Sequence, residues 1–265
     1  MTVAAPHITP PGTFGRIMVL LNRERKTRFA GGTFGYLWAY ITPAVWIALI
    51  VGLFVYLERT PPIDAGLAIF VATGILPYVA FRQTVTALSR VLSAHRYMRY
   101  FATVSTDDIL WSSMLLEGLN LIVSALLIFG TVTILFGTPL PHALPSVLYA
   151  LAITWLLGCG VGRFVAIGAQ ISDTFARSVP LVLRPFFWLS GIFYTAAELP
   201  GPVRDILWYS PFLHVTEILR EGYFLGFTSH FANAWYPIVV AAGFFLISLP
   251  LERFANTRRI MRGRL

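Results

Sequence analysis

The stretch that decides the fold runs from Gly118 to Gly162 and reads GLNLIVSALLIFGTVTILFGTPLPHALPSVLYALAITWLLGCGVG. Its 45 residues include no Asp, Glu, Lys or Arg. A bilayer core about 30 Å thick is crossed by about 20 helical residues, so this stretch is too long for one crossing. The GTPLP sequence at Gly137–Pro141 interrupts it with residues that end helices. The stretch therefore predicts two transmembrane helices joined by a short loop.

The composition of the whole chain is also typical of a membrane protein. Of its 265 residues, 57% are hydrophobic and 12% are charged, and the mean hydropathy is +0.71. A soluble domain has about 25% charged residues, so this chain has too few charges to cover a water-facing surface. The composition excludes an ordinary cytosolic enzyme and a disordered chain. A secreted disulfide scaffold is excluded as well, because Cys159 is the only cysteine.

Four further charge-free stretches complete the pattern of spans. They are Phe29–Leu57, Ala65–Phe81, Pro185–Ala197 and Gly222–Leu251. Together with the central stretch they predict an all-α polytopic membrane protein with six transmembrane helices. The predicted helices are Tyr36–Leu57, Ala65–Leu88, Leu110–Phe136, Leu144–Ile171, Val179–Ala197 and Ala234–Leu251.

Proline and charge divide the rest of the chain into segments. The Pro-rich run Glu198–Pro211, ELPGPVRDILWYSP, suits a re-entrant pair of half-helices between helices five and six. We predict an N-terminal cytoplasmic segment over residues 1–32, a transmembrane domain over 33–252 and a basic cytoplasmic tail over 253–265. Within the transmembrane domain, residues 82–108 form a long cytoplasmic loop and residues 198–211 form the re-entrant segment.

The basic residues are distributed unequally between the two sides of the membrane. Of the 20, 17 fall in the N-terminal segment, the loop after helix two, the loop after helix four and the C-terminal tail. The other three are Arg59, Arg204 and Arg220. The positive-inside rule then makes both termini cytoplasmic. This distribution explains the net charge of +8 without nucleic acid, because no folded basic domain remains to bind it.

An amphipathic helix is predicted before the first span, within Thr13–Gly32. Phe14, Ile17, Met18 and Leu21 recur at helical spacing and would lie in the cytoplasmic interface. One interpretation is an anchor that orients the first span. The other is a site for an anionic lipid or a lipid-linked headgroup, formed by Arg23, Arg25, Lys26 and Arg28.

The loop after helix two is rich in arginine and aromatic residues, which are enriched in protein–protein interfaces. A docking surface for a partner protein is therefore predicted, and a solvated positive-inside loop is the alternative. The residues concerned are His95, Arg96, Tyr97, Arg99, Tyr100 and Phe101.

Few ionisable residues are arranged as a proton relay, a metal site or a catalytic site would require. Glu117 lies within helix three, but a proton relay needs several such groups. His214, Glu217 and Glu221 lie at helical spacing beside Arg220, without a second histidine or cysteine for zinc and without an activated nucleophile. This group predicts a hydrogen-bonded, charge-paired helix end rather than a metal or catalytic site.

Two segments resemble the membrane subunits of type 2 ABC exporters. The run RERKTRF at Arg23–Phe29, followed by GYLW at Gly35–Trp38, is similar to the start of those subunits. The region Arg184–Tyr223 is similar to capsular-polysaccharide export permeases, in which R-P-x-F-x-x-S-G-x-F-[YF] precedes L-P and [NS]-P-x-x-H-x-x-E-x-x-R-x-G-[YF]. The matching positions are Arg184, Pro185, Phe187, Ser190, Gly191, Phe193, Tyr194, Leu199, Pro200, Ser210, Pro211, His214, Glu217, Arg220, Gly222 and Tyr223.

The resemblance implies a homodimer bound to two copies of a separate ATPase subunit. ATP and Mg are expected on that subunit and no cofactor in this chain, which has no G-x-x-x-x-G-K-[ST] motif. The assembly would export a lipid-linked capsular polysaccharide across the bacterial inner membrane, towards a periplasmic adaptor and an outer-membrane channel.

The resemblance also assigns roles to residues. Residues around Arg96 to Phe101 would form the coupling helix that contacts the ATPase, and His214, Glu217 and Arg220 would form the junction between the re-entrant segment and helix six. Aromatic rings that stack weakly on sugars would line the path. These are Tyr36, Trp38, Phe193, Tyr194, Trp208 and Tyr209.

Other functions stay open on the sequence alone. The nearest alternative is a permease for another lipid-linked glycan, such as O antigen or teichoic acid. A membrane enzyme acting on lipid-linked sugars is a further alternative, with His214, Glu217 and Glu221 as its candidate residues. A secondary transporter is disfavoured by the lone carboxylate and the absence of an inverted repeat.

Overall fold

Helices form all the regular secondary structure in the described part of the chain. The structure, a computed structural model, describes residues 12–28, 35–63, 66–95 and 104–262. A short 3₁₀ turn covers Ala196–Glu198. The helices are α1 (Thr13–Arg28), α2 (Gly35–Tyr56), α3 (Leu67–Ala94), α4 (Thr106–Phe136), α5 (Leu144–Ile171), α6 (Asp173–Leu189), α7 (Gly201–Leu207), α8 (Pro211–Tyr223) and α9 (Tyr236–Arg262).

The central charge-free stretch forms two helices, as predicted. α5 has the predicted bounds, and α4 ends at the predicted Phe136. Gly137 adopts a φ of 64°, a left-handed conformation that glycine reaches without steric strain and that ends α4. α4 starts earlier than predicted because Ser105 and Asp108 form a capping box before the apolar run begins.

Other segments also differ from the predicted bounds. α3 ends at Ala94 instead of Leu88, so the first part of the predicted loop 82–108 is helical. α6 begins at Asp173 instead of Val179 because the Ser172 side chain caps it, and it ends at Leu189 instead of Ala197. Gly191, with a φ of 77°, then turns the chain. α9 continues to Arg262, so most of the predicted basic tail is helical. The Pro-rich run Glu198–Pro211 contains one short helix, α7, and the next helix, α8, begins at the last residue of the run.

Within the described residues, four helices are long and apolar enough to cross a membrane. They are α3, α4, α5 and the Tyr236–Thr257 part of α9. The described apolar part of α2, Tyr40–Tyr56, is shorter. The 18-residue apolar window of α3 is 89% buried and that of α5 is 72% buried, against 33% in α4 and 11% in α9. The core therefore lies around α3 and α5, and α4 and α9 turn apolar faces outwards, as expected for contact with lipid.

Small residues bring α5 close to its neighbours. A Cβ atom added to Gly160 would lie 2.3 Å from the carbonyl oxygen of Ala241 in α9. One added to Gly158 would lie 2.9 Å from Thr84 in α3, and one added to Gly162 would meet Leu88. The Gly158–Gly162 pair therefore serves helix packing, which is the role its sequence suggests.

The N-terminal helix packs against α4. Its buried residues are Leu20, Leu21 and Glu24, whereas Phe14 is exposed. The predicted apolar stripe is therefore only partly covered within this chain. The position of α1 in the membrane interface stays a prediction.

Candidate transport and coupling sites

An ion-pair cluster around the buried Arg163 joins α4, α5 and α9 at one end of the bundle. Arg163 of α5 is 2% exposed and donates hydrogen bonds to Asp107 of α4 and to Glu252 and Ser248 of α9. The Arg163–Glu252 contact measures 2.6 Å and the Arg163–Ser248 contact 3.0 Å. The guanidinium also lies 5.0 Å from the centre of the Phe245 ring. One side chain thus holds three helices together.

A second ion pair connects α1 to the same end of α4. Arg16 Nε lies 3.1 Å from Asp108 Oδ2, and Asp108 is 2% exposed. The same carboxylate accepts a hydrogen bond from the backbone N–H of Ser105 at 3.1 Å. The start of α4 is therefore held to α5 by Asp107 and to α1 by Asp108. Arg163 of α5 connects α9 to the same cluster through Glu252.

The predicted coupling residues flank this cluster in the chain. His95 ends α3, and its Nδ1 lies 3.0 Å from the carbonyl oxygen of Val91. Arg96, Tyr97, Arg99, Tyr100 and Phe101 lie outside the described residues. The described chain resumes at Val104, one residue before the cap of α4.

The predicted headgroup residues lie on α1. Arg23, Arg25 and Lys26 are exposed, and the side chain of Arg28 lies outside the described residues. Glu24, between Arg23 and Arg25, is buried and accepts a hydrogen bond from Ser113 of α4 at 3.1 Å. At about 100° per residue, the two arginines flank this buried face on either side of the helix.

A polar hub on α8 holds the turn after α6. Arg220 is fully buried, donates to the carbonyl oxygen of Tyr194 at 2.8 Å and lies 4.0 Å from the centre of the Phe70 ring. Thr216 donates to the carbonyl oxygen of Ser190 at 2.8 Å. Glu217 accepts a 3.2 Å hydrogen bond from the backbone N–H of Ala196. These contacts satisfy the backbone of a buried turn that has no secondary structure of its own.

Glu217 and Arg220 are not a tight ion pair. Their closest N–O distance is 3.9 Å. The second oxygen of Glu217 accepts a hydrogen bond from Ser229 at 2.6 Å. The predicted hydrogen-bonded helix end is present, but backbone groups and a hydroxyl provide most of its bonds.

His214 joins three segments through its ring. Its Nε2 lies 2.7 Å from the carbonyl oxygen of Trp208, and its Nδ1 accepts the backbone N–H of Asn233 at 3.1 Å. These partners assign the neutral tautomer with a proton on Nε2. Burial lowers the pKa of His214, because desolvation disfavours the charged imidazolium. With both ring nitrogens engaged, His214 positions the loop before α9 and has no nitrogen left for catalysis in this arrangement.

The predicted path aromatics fall in different environments. Phe193 is buried and stacks on Trp188 with ring centres 5.1 Å apart, and Tyr194 donates its O–H to the carbonyl oxygen of Trp188. Trp208 is partly exposed and Tyr209 is exposed. The side chains of Tyr36 and Trp38 lie outside the described residues. Among the four described residues Tyr209 is the most exposed, whereas the Trp208 ring lies 4.9 Å from the ring of Tyr236.

Sequence reasoning missed the Arg163 cluster. It counted Arg163 as a surface charge of a cytoplasmic loop and gave Asp107, Ser248 and Glu252 no role. A signal was available, because Arg163 lies inside the predicted fourth helix and an arginine there needs a partner.

Glu117 also has a partner in the bundle. Asn120, one turn later in α4, donates a hydrogen bond to it at 3.4 Å. This carboxylate is therefore hydrogen-bonded within its own helix.

The helical fold of the described residues and its four long apolar helices are typical of an integral membrane protein. Residues 15–224 match the family described as ABC-2 type transporter. The chain belongs to this family of transporter membrane proteins.

Three relatives match the chain over most of its length. The polysialic acid transport protein KpsM of Escherichia coli is 25% identical, covering 89% of this chain and 92% of the relative. The capsule polysaccharide export inner-membrane protein BexB of Haemophilus influenzae is 25% identical, over 79% and 80%. The O-antigen export system permease protein RfbA of Klebsiella pneumoniae is 22% identical, over 91% of each. The expected resemblance to export permeases is confirmed.

Proposed function

We propose that this chain is the permease subunit of an ATP-driven exporter that moves lipid-linked capsular polysaccharide across the bacterial inner membrane. The match of residues 15–224 to the ABC-2 type transporter family carries the proposal. Relatives named for capsule polysaccharide export that align along most of the chain support the substrate class. As a transport subunit, the chain would depend on a separate ATPase subunit that binds ATP and Mg.

The assembly follows from the same proposal. Two copies of the chain, each with six spans, an interface helix α1 and the re-entrant pair α7 and α8, would bind two ATPase subunits. Both termini would be cytoplasmic, with a periplasmic adaptor and an outer-membrane channel beyond the membrane. The six spans would be α2, α3, α4, α5, α6 and α9.

The Arg163 cluster supports a specific route for coupling. ATP-driven movement of residues 96–101 would act on the start of α4, which Arg163 ties to α5 and α9 and which Arg16 ties to α1. Closely packed helices linked by ion pairs move as one body rather than deforming individually. The chain would therefore shift as a unit against its second copy and open a path between the two. Arg23, Arg25, Lys26 and Arg28 would meet the lipid-linked headgroup at the cytoplasmic entrance.

A second candidate function is export of a lipid-linked O antigen. Its support is the match to the O-antigen export permease RfbA, which covers 91% of this chain. Teichoic acid export is a third possibility of the same type. All three share one mechanism and differ in the polymer.

Deletion and complementation test the proposal. We expect loss of the gene to remove a glycan from the cell surface and to leave it inside the cell, because synthesis continues without export. An affinity-tagged copy should restore export and should copurify with an ATPase subunit. The chemical identity of the retained glycan distinguishes capsule from O antigen or teichoic acid. A purified complex without an ATPase, or a surface glycan that persists after deletion, would contradict the proposal.

A further inference from the structure

An apolar cleft lies between α6 and α9, over α5. Its volume is about 400 Å³, and side chains of these helices and of α3 and α8 line it. Among the described residues that line it, Ser178 and Tyr209 carry the polar side-chain atoms, and the Ser178 hydroxyl donates to the carbonyl oxygen of Phe175 at 2.8 Å. Val182, in the α6 wall, is 57% exposed, so the cleft opens outwards. A ligand there would find apolar contacts and almost no hydrogen bonds.

Three phenylalanine rings close the cleft at one end. The centre of the Phe164 ring of α5 lies 6.0 Å from that of Phe175 in α6 and 5.5 Å from that of Phe244 in α9. Phe164 directly follows Arg163, which holds Glu252 of α9. The closed end of the cleft therefore lies beside the Arg163 cluster.

An aromatic group of Trp208, Tyr209 and Tyr236 lies at the other end. Tyr209 lines the cleft and is 72% exposed. The Tyr236 O–H donates to the carbonyl oxygen of Tyr209 at 2.9 Å, and the Trp208 and Tyr236 ring centres are 4.9 Å apart. Tyr236 begins α9, and Glu252 lies about 24 Å further along that helix at 1.5 Å per residue. Rings with a polar tip are typical of the level of lipid headgroups.

The dimensions of the cleft match one hydrocarbon chain. From Phe175 to Phe186, the α6 residues that line it span about 16 Å at 1.5 Å per residue. The volume of about 400 Å³ over that length gives a mean width of about 6 Å. An α-helix, about 10–12 Å across with its side chains, is too wide for this space. A single chain of methylene groups, whose carbon atoms contact their neighbours at about 4 Å, fits it.

The apolar lining restricts what can fill the cleft. Protein interiors are close-packed, with few voids larger than a water molecule, so a space of this size is unfavourable when empty. Apolar cavities stay dry and bind apolar molecules, because a buried water needs polar partners. The hydroxyl groups of a sugar polymer need such partners too. The remaining candidate is hydrocarbon.

We propose that the cleft binds one acyl chain of a bilayer phospholipid. The headgroup lies at the aromatic group, and the methyl end of the chain lies against Phe164. The acyl chain fills the space that separates α6 from α9 and so forms part of the packing of α6 in the bundle.

The position of the aromatic group distinguishes two sources of an acyl chain. α1, which carries the predicted headgroup residues for a lipid-linked glycan, pairs with Asp108 at the same end of α4 as the Arg163 cluster. The aromatic group lies at the opposite end of the cleft. A lipid with its headgroup there belongs to the bilayer and is not a glycan carrier at the predicted entrance. The inference goes beyond the proposed function and holds whatever polymer is exported.

Lipid retention tests the site. The chain is purified with the subunits that accompany it, washed extensively in mild detergent and extracted, and its phospholipid is quantified by mass spectrometry. Val161→Trp and Val182→Trp place an indole in the α5 and α6 walls, and Leu126→Trp places one at a 70% exposed position of α4 outside the cleft. We expect wild type and Leu126→Trp to retain about one phospholipid per chain. Both cleft variants should retain at least about fivefold less, because the indole takes the room of the acyl chain.

Photolabelling tests the same site in the wild type, so the test does not depend on a variant that folds. The probe is phosphatidylethanolamine with a diazirine in its acyl chain, mixed into nanodiscs that hold the complex. We expect labelling of peptides that carry Val182 and Val240 to saturate as the labelled fraction rises, since a site holds one chain. Labelling of the Leu126 peptide should rise in proportion to the labelled fraction, as for lipid that only surrounds the protein.

The other outcomes would overturn the proposal. Equal phospholipid in all four proteins, or labelling that rises in proportion at every peptide, would show that the cleft holds no specific lipid. A retained lipid that carries glycan would assign the cleft to the exported substrate instead. Neither readout measures export, so failure of the lipid site leaves the proposed function standing. Loss of the proposed function, shown by a surface glycan that persists after deletion, leaves the lipid site standing.

Discussion

Replacing Arg163 with methionine tests whether one buried guanidinium holds the bundle together. Arg163→Met keeps a long apolar side chain and removes the three hydrogen-bond donors directed at Asp107, Ser248 and Glu252. Two carboxylates then lose their cationic partner. The Asp107 side chain is 54% exposed and can recover its hydration, but the Glu252 side chain is only 18% exposed.

The magnitude follows from these exposures. Removing one partner of a buried ion pair costs about 3–5 kcal/mol, and rehydration of Asp107 places this case at about 3 kcal/mol. Glu252→Gln keeps a hydrogen-bonding side chain at the site and should cost about 1 kcal/mol. The double variant removes Arg163 and the charge of Glu252 together. Its loss should therefore be smaller than the sum of the single losses by about 1–2 kcal/mol.

The assay is the free energy of unfolding of the purified chain in detergent, measured by titration with sodium dodecyl sulfate. Arg253→Met is the matched control, because it makes the same substitution at an exposed arginine next to Glu252. It should change the free energy of unfolding by less than about 0.5 kcal/mol. Additive losses in the double variant, or a loss for Arg163→Met no larger than that of the control, would refute the view that Arg163 ties α4, α5 and α9 together.

Three further substitutions test the packing and the polar contacts. Gly160→Ala places a methyl group 2.3 Å from the Ala241 carbonyl oxygen, so it should separate α5 from α9 and lower the unfolding temperature. Gly243→Ala adds a methyl group in open space and should leave the unfolding temperature unchanged or raise it. Ser105→Ala removes a capping hydrogen bond and should cost about 1 kcal/mol in the same titration, and an unchanged value would argue against the cap. Arg220→Lys cannot span the buried turn carbonyls with one ammonium group, and it should cost about 2 kcal/mol and increase proteolysis after α6.

The helices that the sequence predicted best are those with uniform composition. α5 has its predicted bounds, and Gly137 ends the preceding helix, α4. Long apolar runs and the break at Gly137–Pro139 determine helix bounds through residues that are close together in the chain. α6 was predicted least well. Its two arginines and two prolines are residue types more typical of a loop than of a membrane helix. The cap that starts the helix is a single hydrogen bond, which the side chain of Ser172 accepts from the backbone N–H of Phe175.

The candidate sites divide in the same way. The sequence singled out Arg220, Glu217 and His214. The structure joins Arg220 and Glu217 to the turn after α6, and it joins His214 to the end of α7 and to the loop before α9. The sequence did not show that their partners are mostly backbone carbonyls and N–H groups, since backbone groups leave no signal in a residue pattern. It also placed Arg163 on the surface, although the structure buries it between helices.

By itself, the sequence determined that this is a helical membrane protein, because hydrophobic length and charge asymmetry depend on residues close together in the chain. Its resemblance to the membrane subunits of ABC exporters indicated the exporter class. Only the tertiary structure decided which charges are paired. Arg163 pairs with Glu252 across 89 positions of sequence, whereas Arg184 of α6 makes no hydrogen bond or ion pair within the described residues. The difference arises because a partner's distance depends on how helices pack, and packing brings together residues that no local pattern relates.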